Sequence, residues 1–392
     1  MTEPIPTITT TKALAEICAR AAAAPYVTLD TEFLRERTYW SKLCLVQLAL
    51  PEAQGGEAVL IDPIVGEEMS LEPLHDLMRE TGTVKVFHAA RQDLEIFYHE
   101  GGVIPEPLFD TQVAAMVCGF GEQVGYETLV RKIAKGSVDK TSRFTDWSRR
   151  PLSDAQKAYA LADVTHLRAI YESLDAELER SGRRGWVEEE LATLADPATY
   201  VVEPAEAWRR LKTRTNSGRF LAVVRELARF REAYAQERNI PRNRVLKDDA
   251  LLEVASTKPA SLADLGKARL LLREARKGAI AEGILQAVAD GLACPREDWP
   301  EADDRRDRLQ VNPALADLLR VLLKAKAESA GVAQKLIASA ADLDAIAAGE
   351  REVPALRGWR HEVFGADALE LCAGRIALAA KGADVAVVPL AQ

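Results

Sequence analysis

The sequence predicts an α/β domain followed by two all-helical domains, on three observations. Short β-rich runs alternate with helical patterns up to about Gly121. Beyond Ala205 only helical periodicity remains. Two proline-bearing stretches, 197–204 and 294–304, read as linkers between the blocks. At 392 residues the chain also exceeds one typical domain of roughly 100–150 residues.

Taken in order, Pro25 to Asp30 reads as a first strand, Cys44 to Leu50 as a second, and Ala58 to Ile61 as a third, ended by Asp62-Pro63. Val84 to His88 is a fourth β-rich run, followed by a helical pattern from Arg91 to His99, and Leu108-Phe109-Asp110 reads as a fifth. Tyr126 to Lys135 is helical, 136–151 is polar, and Ser153 caps a helix running through Leu174 and beyond. Helical segments from 205 to 292 break at Asn239-Ile240-Pro241, Lys258-Pro259 and Gly266. A further helical block runs from Leu309 to about Ala380.

Composition narrows the chemistry. The five cysteines (Cys18, Cys44, Cys118, Cys294, Cys372) lie far apart and form no CxxC pair, and the five histidines lack metal-ligand spacing. Reduced thiols are expected, and any metal must be held by oxygen. No secretory signal and no apolar run of the ~18–20 residues that span a bilayer is present, so a cytoplasmic protein without membrane contact is expected. The formal net charge is −9, yet residues 205–298 hold 19 Lys/Arg against 13 Asp/Glu, or +6, leaving −15 for the remainder. A basic segment suits phosphates and an acidic one suits cations.

Three signals carry catalytic chemistry. Asp30 and Glu32 stand two apart near the end of the first strand, on one face, where their repulsion calls for a cation. Asp93 lies in the first turn of the helix after the fourth strand, where strand ends meet helix starts in α/β sheets. Tyr159 and Asp163 are four apart on an otherwise apolar helix. Singly, each has an ordinary reading: a solvated strand end, an acid at a helix start, a surface aspartate beside a half-buried tyrosine. Jointly, in this order, they point to a metal-dependent hydrolase, with hard oxygen donors favouring Mg²⁺ or Mn²⁺.

These residues resemble the three exonuclease motifs of the DEDD superfamily, tyrosine subtype. The histidine subtype carries its histidine five residues before the last aspartate, where this sequence has Ala158. Leu29-Asp30-Thr31-Glu32-Phe33, the following Arg-Thr-Tyr-Trp-Ser, Leu45-Val46-Gln47-Leu48, the run from His88 to Glu95 and Asp146-Trp147-Ser148-Arg149-Arg150-Pro151-Leu152 are similar to the ribonuclease D family. The helical blocks resemble HRDC domains. The first does so through Ala233–Arg238 and Ile240–Asp248, and the more divergent second through Gly358-Trp359-Arg360.

The resemblance implies a ribonuclease H-like mixed sheet with flanking helices at 1–200, a first HRDC domain at 205–292 and a second at 305–385. It implies a 3′→5′ exoribonuclease that releases nucleoside 5′-monophosphates with two metal ions, acting as a monomer on RNA with a free 3′ end, transfer-RNA precursors foremost. Asp30 would be shared by both ions, Glu32 and Asp163 would hold the water-activating ion, and Asp93 would act on the other through water. Tyr159, a phenol that stays protonated at neutral pH, would orient the attacking water. Phe33 and His88 would approach the terminal nucleotides, although Phe33 equally suits core packing. Trp147 lines the groove or anchors its loop, the anchor being favoured. Arg242, Arg244 and Lys247, with the run Arg209, Arg210, Lys212, Arg214 and Arg219, would hold phosphates or simply form solvated helix faces. The rival readings are a DNA 3′→5′ exonuclease of the same superfamily and a nucleic-acid-binding protein with an inactive nuclease fold.

Overall fold

The computed structural model describes residues 5–65, 69–139, 145–213, 215, 217–301 and 310–390. It divides into two compact units, one of residues 1–31, 45–199 and 307–392, the other of residues 32–44 and 200–306.

The first unit is built on a mixed sheet. Its strands are β1 (Thr7–Ile8), β2 (Tyr26–Leu34), β3 (Lys42–Ala49), β4 (Ala58–Ile61), β5 (Val84–Phe87) and β6 (Leu108–Asp110), ordered β1-β4-β3-β2-β5-β6. β1 runs parallel to β4, β3 antiparallel to β4, and β5 parallel to both β2 and β6. All five expected strands are present. β1 pairs over two residues only, too few to leave a periodicity. Tyr26 to Leu29 are buried without alternation, as in a strand covered on both faces.

The long helix Asp154–Ser181 begins where Ser153 predicts. The Ser153 hydroxyl accepts from the Gln156 N–H, the Gln156 amide oxygen accepts from the Ser153 N–H, and Gly182 closes the helix in the left-handed region. Inside the sheet Thr28 donates to the Val164 carbonyl at 2.8 Å, tying β2 to this helix between its two signal residues and its midpoint.

The C-terminal block shares the first unit's core. Tyr26, Val86, Phe109 and Tyr171 belong to one apolar cluster with Leu319, Leu322, Trp359 and Phe364. The Trp186 and Trp359 rings stack at 4.5 Å and 11°, and Ala333 N–H donates to the Met116 carbonyl at 3.0 Å. Helices Pro313–Ala330, Gln334–Ile337, Ala340–Ala347 and Ala366–Cys372 occur as expected. The expectation of helix to Ala380 is corrected at the end: β7 (Ile376–Lys381) and β8 (Asp384–Pro389) form an antiparallel hairpin. Lys381 faces Asp384 across a turn in which Gly382 takes φ +65, a left-handed position that favours glycine. The alanines of 377–380 disguise the strand as a helix former.

The second unit packs helices Gly218–Glu237, Asp248–Thr257 and Gly278–Ala293 around Trp208, Leu221, Leu227, Leu251 and Ile284. A side chain at Gly291 would begin 2.5 Å from the Val223 Cα, so glycine permits this close helix crossing. The turn between β2 and β3 belongs to this unit. The Asn239 amide oxygen accepts from the Tyr39 and Trp40 N–H groups at 3.0 Å each, and the Tyr39 hydroxyl donates to buried Glu232.

All five cysteines are free thiols. No described helix is long and apolar enough to cross a membrane. Leu322, fully buried in the shared core, gives a test. Leu322→Ala should cost about 2–5 kcal/mol and lower the melting of the sheet and the C-terminal block in a single calorimetric transition. A separate transition for the block, with the sheet unmoved, would contradict the shared core.

Candidate active site

β2 supplies two carboxylates by alternation, and the long helix supplies a third. Ligand oxygens of Asp30, Glu32 and Asp163, all half-buried, lie within 4.8 Å of one another. Three carboxylates this close repel one another strongly unless a cation lies among them. The donor set is all oxygen, which fits a hard divalent ion.

Tyr159 precedes Asp163 by one helical turn and faces the same way. Both line a cleft of about 390 Å³ together with Asp30, His88, Gln112 and Tyr126. The Trp147 ring lies 6.1 Å from the Tyr159 ring, inclined at 32°, and is only 2 % exposed, so it backs Tyr159 from the protein side. Its loop is pinned by Arg150. The guanidinium donates to the Asp62 carboxylate at 2.6 and 2.7 Å and to the Trp147 carbonyl at 2.6 Å.

Asp93 stands outside the close group. It is buried in the first turn of helix Arg91–Gly101 and accepts from the Thr31 hydroxyl. Thr31 lies between Asp30 and Glu32 in sequence. Burial pushes the Asp93 carboxyl up to about 7, against the lowering effect of the Thr31 hydrogen bond.

Two residues not singled out in the sequence organise this region. Asp110, buried at the end of β6, accepts from the N–H groups of Ala89 at 3.0 Å, Ala90 at 2.9 Å and Gln112 at 2.7 Å. It thereby holds the turn at Ala89, which has φ +58, and caps helix Thr111–Val117. A strand-end aspartate before a helix start was the available signal. Tyr126 donates to the Ala162 carbonyl at 2.9 Å, next to Asp163, and its ring lies 5.5 Å from His88. Burial first, then Asp163 and Asp30, raise its phenol well above the usual range, so it remains a donor.

His88 places Nδ1 3.0 Å from the Thr111 hydroxyl, and burial lowers its pKa against the opposing charge of Asp110. Phe33 is half-buried, one residue beyond Glu32. In the second unit Arg242 and Arg244 lie exposed on helix Arg242–Val245, and exposed Lys247 stands just before helix Asp248–Thr257. Arg209, Arg210, Lys212 and Arg219 are also exposed, with Arg209 paired to Glu206; Arg214 lies outside the described residues.

Comparison with known proteins decides the family. A 3′-5′ exonuclease domain family matches residues 5–179, and the HRDC domain family matches residues 220–288. A ribonuclease D of Jannaschia sp. is 68% identical over 97% of this chain and 99% of its own length. The chain belongs to the ribonuclease D family. As a ribonuclease D relative it is a 3′→5′ exoribonuclease, built as a ribonuclease H-like mixed sheet with a largely helical C-terminal region. A ribonuclease D of Granulibacter bethesdensis is 49% identical over 98% of this chain and 97% of its own length. The solved structure of Escherichia coli RNase D, described as an exoribonuclease involved in structured RNA processing, is 30% identical with a TM-score of 0.81, covering 95% of this chain and 99% of that one.

The Asp93 environment sets a sign for pH dependence. A carboxyl whose folded pKa lies above its unfolded value of ~3.9 stabilises the fold most below that unfolded value. The contribution is lost as pH rises through about 7. In chelator, the melting temperature should therefore fall between pH 5 and 8, and Asp93→Asn should flatten that fall. An unchanged pH slope in the variant would remove Asp93 as its source. Asp110→Ala should destabilise the protein by about 1–3 kcal/mol and slow RNA cleavage, because the Ala89–Ala90 turn loses its acceptor; wild-type melting and rate would contradict that role.

Proposed function

We propose that the chain shortens RNA from its 3′ end by hydrolysis assisted by two divalent ions, Mg²⁺ or Mn²⁺, releasing nucleoside 5′-monophosphates. The observation that carries this reading is the convergence of Asp30, Glu32 and Asp163. When bound, the ions supply an activated water and neutralise charge at phosphorus and on the departing oxygen. Asp30, Glu32 and Asp163 would hold the ions, Glu32 and Asp163 beside the water to be activated, and Asp93 would assist from the start of its helix. The water oxygen bonds to phosphorus, the phosphorus–O3′ bond breaks, and the 3′ oxygen leaves with a proton.

The side chains prepare that displacement. Tyr159 donates a hydrogen bond that aims the attacking water, with Trp147 fixing the ring from behind. His88 and Phe33 receive the terminal nucleotides by stacking, which tolerates any base. In the reading of three modules, at 1–200, 205–292 and 305–385, the first helical one contributes Arg242, Arg244 and Lys247 as phosphate contacts. Such contacts suit an enzyme that holds an RNA body while trimming its tail, and transfer-RNA precursors handled in the cytoplasm by a monomer are the substrates we favour.

The test is a labelled RNA with a 3′ overhang, incubated with Mg²⁺, Mn²⁺ or chelator beside the same DNA sequence. Single-nucleotide laddering on RNA that stops in chelator is expected; laddering on DNA alone would overturn the substrate assignment. Asp30→Asn should retain the fold and lose activity by at least about a hundredfold, and normal cutting would refute the site. Tyr159→Phe should lower kcat while leaving calorimetric metal binding unchanged.

A further inference from the structure

Among the described residues Arg231 is the largest fully buried side chain, 2 % exposed inside the first helical block. A guanidinium is almost never buried this fully without a specific partner. Its Nη1 donates to the Leu246 carbonyl at 3.2 Å and to an Asp248 carboxylate oxygen at 2.6 Å, while its Nε has no hydrogen-bond partner. Both acceptors belong to the segment 240–248, which leaves the core at Ile240 and presents Arg242, Arg244 and Lys247 to solvent. Val245 and Leu246 anchor the same segment from below, fully buried.

Arg231 is buried and Asp248 is exposed, so the pair adds little net stability: desolvation of the guanidinium offsets most of an attraction that solvent already screens at the carboxylate. Apolar packing would hold a loop at lower cost. What the guanidinium adds is direction: its Nη1 holds two acceptors of one loop, the Leu246 carbonyl and the Asp248 carboxylate. The three exposed cations lie within six positions of those acceptors, and Leu246 and Asp248 flank Lys247 directly. Glu232, next in sequence, is also buried and receives the Tyr39 hydroxyl. Adjacent charged residues of one helix thus hold two different loops.

We propose that Arg231 is a positioning residue for RNA binding: from inside the helical block it sets the spacing of Arg242, Arg244 and Lys247 so that all three meet successive phosphates. This rests on the reading of those three residues as phosphate contacts. Arg231 is too deeply buried to touch RNA itself, so any effect of its removal on binding passes through the loop.

The experiment compares the full chain with Arg231→Met, Asp248→Asn and the triple variant Arg242→Ala/Arg244→Ala/Lys247→Ala. The probes are a hairpin RNA with a 3′ tail and a short single-stranded oligonucleotide. For each protein the hairpin Kd is measured from 50 to 200 mM salt, with melting temperature and cleavage rates on both RNAs. Arg231→Met, which exchanges a buried charge for an apolar chain of similar length, should melt at or above the wild-type temperature. It should also bind the hairpin about tenfold more weakly, with a shallower salt dependence because fewer phosphates are met. Its loss should be larger on the hairpin than on the oligonucleotide. Asp248→Asn acts on the exposed end of the pair and should shift binding the same way, which keeps the test decisive if Arg231→Met does not fold. If the triple variant weakens binding while both positioning variants bind with wild-type affinity and salt slope, the inference falls and the phosphate reading stands. If the triple variant binds like wild type, the phosphate reading falls and takes the inference with it.

Discussion

The structure turns on the mutual repulsion of three carboxylates. Asp30, Glu32 and Asp163 are held within 4.8 Å of one another, an arrangement that apolar collapse alone would disperse. The fold opposes that dispersal with the stiffest parts it has. Two of the acids are on a strand in the interior of a six-stranded sheet, and the third is on a capped helix tied to that strand by Thr28. A cation among the three carboxylates would relieve that repulsion.

That scaffold extends past the nuclease sheet. The C-terminal block shares the sheet's apolar core and donates a backbone hydrogen bond to the Met116 carbonyl, so it is part of the body that holds the site. The first helical block has its own core and holds the β2–β3 turn through Asn239 and Glu232. The two helical regions, alike in size and pattern along the sequence, therefore take different structural parts.

Much of the candidate site was legible because its signals are local. The spacing of Asp30 and Glu32 on a strand, the one-turn separation of Tyr159 and Asp163, and the Ser153 cap each depend on geometry repeated every few residues. The five main strands were legible for the same reason. Less legible were parts whose meaning lies in a distant partner. Thr31 is an ordinary strand residue until Asp93 arrives from another element. Asp110 reads as a strand end until the Ala89 turn is brought to it. The C-terminal hairpin was hidden because alanine-rich strands carry helix propensity and only long-range packing overrides it.

By itself the sequence determined the type of chemistry: which acids, on which kind of element, facing which way, and hence an oxygen-only site suited to hard cations. Strand and helix periodicities are properties of consecutive residues, so a single chain suffices to read them. Only the tertiary structure decided that Asp93 turns to Thr31 outside the close group, that Trp147 backs Tyr159, and that the last block completes the nuclease core. Each of those depends on which surfaces meet once separate elements of the chain have packed together, and no local spacing encodes that choice.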